Sequence, residues 1–460
     1  MNNEPARWDA TVEGLLAYAQ GVRYDALSPA VVHETKRRVI DTFASALGAY
    51  AEPVSVMSRA LAARTRSDQA ARVWGSEILT TPELAAFANG VMVRSLDVSD
   101  TYLGRSRGHP SDMTPGLIAL AEVMHADGKA LIEAISLAYD IYCSFCQAVD
   151  VNAKGWDQPL YTVLGCALGA ARLLRLDAEA TGHALSLALT PNMALAQARR
   201  GSLSSWKGCA GANATRNAVF AALLAQEGFT GPTAVFDGSG GLWEAIGRSE
   251  WPLPAAPMIP LTHTKSLPVC YHGQSAVFAA IELRERFKLD ALDALDDIAE
   301  IHAEGYGAAV FMMGADASRW APATRETADH SLPYCIAIAL LDGAVTSASF
   351  AAARLHDPAV VALMQKVKVS EDPALSARYP EGAPGRVTIR LNSGATQWLE
   401  IRYPRGHEKN PMSDAEIEQK FHTMCAGRLD TERRTAALAL LRRLETVGDV
   451  SEVTALFAVA

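Results

Sequence analysis

The chain has 460 residues, 49% of them hydrophobic, and a formal net charge of −9. That length exceeds one small core and suggests two or three domains. The composition excludes a disordered or fibrous chain, and the lack of a basic block argues against a nucleic-acid partner, whose phosphates need a clustered positive surface. A few local cations would still suffice for a small anionic substrate.

The opening segment, MNNEPARWDATVEGLLAYAQ, has no basic stretch followed by an apolar one, so no signal peptide is expected. Further on, KRRVIDTFASALGAY places Val39, Ile40, Phe43, Ala46 and Leu47 on one helical stripe. TPELAAFANGVMV opens with Thr81 as an N-cap and Pro82 at the first helical position. The stretch from Thr114 to Phe145 reads as two helices broken at Asp127-Gly128. LYTVLGCALGAARLLRL and NATRNAVFAALLAQEG are apolar almost all round. Such helices bury against other helices, often across subunits.

After about residue 265 the texture changes. DIAEIHAEG, QKVKVSED, RVTIRL and QWLEIRYP are short, alternating or β-branched, and RVTIRLNSGATQWLEIRY reads as a hairpin across Asn392-Ser393-Gly394. The end of the chain is helical again. The expected fold is mainly α: a large all-helical domain, 1–264 plus 405–460, with a smaller α+β lid domain, 265–404, inserted. No apolar run reaches the ~20 residues that span a bilayer, so no membrane partner and a cytoplasmic location are expected. The seven cysteines are odd in number and dispersed, which fits no disulfide framework.

Four segments concentrate reactive side chains. SLDVSDTYLGRSRGHPSD, at a helix exit, offers Asp97, Asp100, Thr101 and His109 on one loop. Scaffolded loops carry catalytic residues, although Asp and Ser also serve as plain turn residues. SSWKGCAGANATRN isolates Lys207 among small residues, where it either pairs with a buried acid or binds an anion. THTKSLPVCYHGQSA brings His263, Lys265, Cys270 and His272 close together, without a second Cys/His pair at zinc spacing. ETADHSLPYCIAIALLDG carries Asp329, placed to cap an apolar helix, and His330. CSFC, at 143–146, falls inside a helix and reads as core, and DGSGG, at 237–241, reads as a turn.

Together these segments resemble the MmgE/PrpD family over nearly the whole chain. The matching stretches are VIDTFASALGA, SLDVSDTY, HPSD, SSWKGCAGANATRNAVFAALLAQEGFTGPTAVFDGSGG, KSLPVCYHGQSA, TADHSLPY and YPRGHEKNPMSDAEIEQKF. The resemblance implies a helical domain with an α+β lid, a homodimer, and no metal or other cofactor. It assigns site roles to Asp97, Thr101, His109, Lys207 and Lys265, and it likens His272 to the histidine of the dehydratase-type members. Two positions depart from the decarboxylase-type members: Asp157 and Cys270 stand where those carry histidines. Asp157, Asp100, Lys265 and Cys270 are therefore grouped as substrate-binding, and Asp97, Thr101, His109, Lys207 and His272 as catalytic.

The implied chemistry makes or breaks a bond on a carbon next to a carboxylate of a small di- or tricarboxylate. An ammonium stabilises the enediolate charge, and a mixed set of Asp, His and Thr moves protons. The leading expectation is a hydro-lyase of the 2-methylcitrate type. An epimerase, isomerase or decarboxylase, and a non-catalytic structural relative, are the alternatives.

Overall fold

A computed structural model describes residues 8–201, 203–289 and 295–459; residues 1–7 of the opening segment lie outside this range. The protein is mainly helical, with one small mixed sheet. It divides into two compact units, one of residues 8–198, 208–262 and 413–459, the other of 199–207 and 263–412.

The first unit is built from helices whose starts follow capping chemistry. Ser28, Asp127 and Asp177 each accept the backbone N–H three residues on, opening the helices Pro29–Gly48, Gly128–Ala148 and Ala178–Leu189. Ser413 and Glu416 form a reciprocal capping box before Asp414–Cys425. Thr81 does occupy the N-cap position before Pro82, but its hydroxyl makes no capping bond. The break at Asp127-Gly128 separates Thr114–Val123 from Gly128–Ala148.

Gly128–Ala148 and Pro159–Leu173 pack at very short range because of two glycines. A Cβ on Gly165 would lie 2.5 Å from the carbonyl oxygen of Ala138, and one on Gly169 would lie 3.0 Å from that of Ala134. Every residue of Pro159–Leu173 except Arg172 is buried by this chain alone. Its all-round apolar character is thus satisfied internally, and the expected burial across subunits is not required to explain it. Cys143 and Cys146 lie in the interior of Gly128–Ala148, and all seven cysteines are buried and outside any disulfide.

In the second unit the strands run in the order Val367–Glu371, Ile298–Gly305, Gly385–Leu391, Thr396–Ile401. The first pair is parallel and the other two are antiparallel. The hairpin turns at Asn392-Ser393-Gly394, with Gly394 at φ 88°, a conformation glycine adopts without penalty. One face of the sheet, through Ile301, Ala303, Val387 and Ile389, packs with Val277, Leu283, Ile336 and Leu340 of the helices Gln274–Phe287 and Leu332–Asp342. The other carries ion pairs such as Arg386 with Glu304 and Glu400. Among the described residues no helix is long and apolar enough to cross a membrane.

Candidate active site

The loop after the helix Pro82–Ser95 starts with a backbone exception. Asp97 has φ 51°, the left-handed region that few non-glycine residues enter. Such positions persist where the surroundings over-determine them. Here the determinant is Arg94, itself buried. Its Nη1 donates to Asp97 Oδ1 at 3.1 Å and to Ser99 Oγ at 3.0 Å, while its Nε lies 3.2 Å from Asp112 Oδ1. Burial opposes the guanidinium charge, but Asp112 and Asp97 outweigh it and keep Arg94 protonated. Asp97 is almost wholly buried beside that cation.

The loop then folds back through a short antiparallel pair, Tyr102–Leu103 with Arg107–Gly108. Thr101 Oγ1 donates to the Gly108 carbonyl at 2.9 Å, so its proton closes the loop and only its lone pairs face elsewhere. Asp100 accepts from the Ser111 amide at 2.9 Å and from the Tyr139 hydroxyl at 2.8 Å. Burial raises its pKa above the ordinary value, against the opposing pull of Arg38 and these hydrogen bonds. His109 is half-buried, and its Nδ1 lies 2.7 Å from the Asp100 carbonyl oxygen. A carbonyl only accepts, so Nδ1 carries a proton and the neutral ring keeps its lone pair on Nε2. That is the tautomer of a base. Asp157, also in the first unit, is buried, and its Oδ1 accepts the Gln158 amide at 2.9 Å.

The second unit gathers a different set. Lys207, in the first turn of Trp206–Gln226, is 4% exposed. Its Nζ donates to Asp329 Oδ1 at 2.8 Å and lies 3.1 Å from His330 Nδ1. His330 Nδ1 lies 2.5 Å from the same carboxylate oxygen. A carboxylate only accepts, so His330 Nδ1 is a donor and two N–H groups converge on Asp329 Oδ1. Burial opposes a charge on His330, yet the electrostatics of Cys270 and Asp329 outweigh burial and Lys207, and its pKa is raised above the ordinary 6.5. The Cys270 amide donates to the Asp329 carbonyl at 2.9 Å, which joins the Lys265–His272 segment to this group. Lys265 is 1% exposed. His272 Nδ1 lies 2.5 Å from the Tyr306 hydroxyl, and the Tyr306 ring stacks on Tyr379 with centroids 4.5 Å apart. His263 accepts the Glu408 amide on Nδ1 at 3.1 Å and stacks on His407, a packed position in this unit.

Residues 13–253 match the family model for the MmgE/PrpD N-terminal domain, and residues 267–446 match that for the MmgE/PrpD C-terminal domain. The chain belongs to the MmgE/PrpD family. The 2-methylcitrate dehydratase of Cupriavidus necator is 28% identical over 444 residues, covering 91% of this chain and 90% of that protein. The 2-methylcitrate dehydratase of Escherichia coli strain K12 is 29% identical over 393 residues, 80% of each chain. Human cis-aconitate decarboxylase is 26% identical over 468 residues, 96% of this chain and 94% of that one. This is an MmgE/PrpD-type enzyme.

Within this MmgE/PrpD chain, Asp329 does not play the capping role expected of it. Ser331 is the N-cap of Leu332–Asp342 and accepts the Tyr334 amide at 3.1 Å, which leaves the Asp329 carboxylate to Lys207. Arg94 and Gln158 were not singled out from sequence. An arginine three residues before an aspartate is a pairing signal, but Arg94 sits in an apolar helix end where it reads as a snorkelling surface residue. Asp329 and Lys207 are 122 positions apart, a separation that no local pattern bridges.

Proposed function

We propose that this enzyme is a cofactor-independent hydro-lyase that removes the elements of water from a small di- or tricarboxylate of the 2-methylcitrate type. The carrying observation is the buried Lys207 ammonium, fixed by Asp329 beside His330. A cation held in a low-dielectric setting stabilises the charge that develops on a carboxylate when the adjacent carbon loses its proton. Lys207 and Lys265 hold the substrate carboxylates. Asp97, held by Arg94, and His109, which presents Nε2 as its lone-pair nitrogen, transfer protons to and from the substrate. The likeness to the two dehydratases over most of each chain supports the substrate class.

A second reading, epimerisation of a related dicarboxylate, draws on Asp157, a carboxylate where decarboxylase-type members carry histidine. Incubation with 2-methylcitrate in deuterated water separates the two. Dehydration yields an alkene that absorbs in the near ultraviolet. Epimerisation yields solvent deuterium in the recovered acid without an alkene. If neither appears with any citrate-type acid, the hydro-lyase reading falls. A homodimer is part of the same proposal, and sedimentation showing only monomer at micromolar protein would contradict it.

A further inference from the structure

Gln158 occupies the residue just before the helix Pro159–Leu173, an N-cap position for which Ser, Thr, Asp and Asn are favoured. Its side chain makes no capping bond there, yet it is 4% exposed. The amide is turned instead into a buried chain of hydrogen bonds within the first unit. The His109 backbone N–H donates to the Tyr142 hydroxyl at 2.7 Å, and that hydroxyl donates to Gln158 Oε1. Gln158 Nε2 then donates to Asp112 Oδ2 at 3.1 Å. Asp112 pairs with Arg94, and Arg94 holds Asp97. Every donor along this path meets an acceptor, so the chain has one consistent polarity from the His109 amide to Asp112.

Two glycines leave room for it. A Cβ on Gly108 would fall 2.0 Å from the Tyr142 hydroxyl, and one on Gly211 would fall 2.0 Å from Asp112 Oδ2. Tyr142 and Asp112 are fully buried, so neither can give way into solvent. Gln158, like the Tyr142 hydroxyl before it, accepts at one end and donates at the other. A carboxylate there would accept from Tyr142 but face Asp112 with like charge. A hydrocarbon would remove the acceptor of the Tyr142 proton and one of the donors to Asp112, which is costly in a buried site.

We infer that Gln158 is a positioning residue that ties the His109 backbone to the Asp112–Arg94–Asp97 ion set, and so fixes the spacing of the two proton-transfer groups. This rests on the roles proposed above for His109 and Asp97. The test uses the full-length protein with Gln158→Leu, Gln158→Glu, Tyr142→Phe and His109→Ala. Amide exchange at His109, read by hydrogen–deuterium exchange without substrate, should speed up at least about tenfold in Gln158→Leu and Tyr142→Phe. With 2-methylcitrate, kcat should fall about 10- to 100-fold in both, as for a group misplaced by ~1 Å, with KM changed less than about threefold. Gln158→Glu should regain turnover as pH falls and the introduced carboxyl gains a proton to donate to Asp112, a recovery that Gln158→Leu lacks. Wild-type exchange and wild-type kcat in Gln158→Leu and Tyr142→Phe would overturn the inference. If His109→Ala loses turnover while Gln158→Leu does not, the positioning role is wrong and the reading of His109 stands. If His109→Ala itself keeps wild-type kcat, the proton-transfer reading fails and takes the positioning role with it.

Discussion

Replacing Lys207 with methionine should produce a stability loss whose size depends on pH. The side chain stays long and apolar, but Asp329, 1% exposed, loses its ammonium. Breaking a buried ion pair from one side costs about 3–5 kcal/mol, because the remaining charge has no partner. Asp329 has a second donor in His330 at 2.5 Å. In the wild type, the folded-state pKa of His330 is raised above 6.5, so its charged form contributes stability that is full below about that pH and fades as pH rises through the folded value. Lys207 pulls that pKa down, and removing it lets the imidazolium persist to higher pH. Below about pH 6 the imidazolium stands in for the ammonium, and the deficit of Lys207→Met should shrink to about 1.5–3 kcal/mol, the worth of one hydrogen bond to a charged group. Above the folded pKa of His330 the full ~3–5 kcal/mol should appear. Urea titrations of wild type and variant from about pH 5 to 9 measure the difference directly. A deficit that stays constant across that range would show that His330 does not back up Lys207, and the assignment of both donors to Asp329 Oδ1 would be wrong.

Asp97→Asn and His109→Ala should each lower kcat on the true substrate by about 100- to 10,000-fold, the usual share of a general acid or base, with a double variant little worse than either; unchanged kcat with a lowered Tm would make the loop scaffold alone. Asp140, which accepts from Tyr18 and from the Met258 amide, is pushed by burial to a pKa of about 7. Its contribution is present at acid pH and lost as pH rises through that value, so Asp140→Asn should gain up to about 4 kcal/mol at pH 8 relative to wild type, about three units at roughly 1.36 kcal/mol each. Little or no gain in the pH 8 denaturation midpoint would refute it. Turnover should survive EDTA, because the cysteines are dispersed and buried without zinc spacing; loss restored by a divalent ion would refute that.

Elements governed by neighbours in sequence could be read before the structure. The hairpin follows from period-two residues on either side of Asn392-Ser393-Gly394, and the break before Gly128 follows from Asp127, a side chain that caps its own helix. The reactive groups on the loop from Asp97 to His109 share one short segment, so their concentration was visible as well. What holds them was not. Arg94 is an arginine buried by two acids, one of them, Asp112, well beyond the helix end, and charge alone does not reveal burial. The Lys207 motif left both an acid partner and an anion open, and the acid is Asp329, remote in the chain. The apolar helix Pro159–Leu173 suggested a subunit contact because a sequence does not state how much of its surface the same chain covers.

The close contact of that helix with Gly128–Ala148 also bears on how the first unit should open. With Gly165 and Gly169 seated against the carbonyls of Ala138 and Ala134, the two helix backbones approach closely at two points one turn apart. Separation of the two helices requires them to part as whole bodies, so their facing amides should exchange only through the largest opening event of the unit. Asp157 and Gln158 stand at the head of one of these helices and Tyr142 lies within the other. Thermal fraying of surface loops should therefore leave their spacing intact.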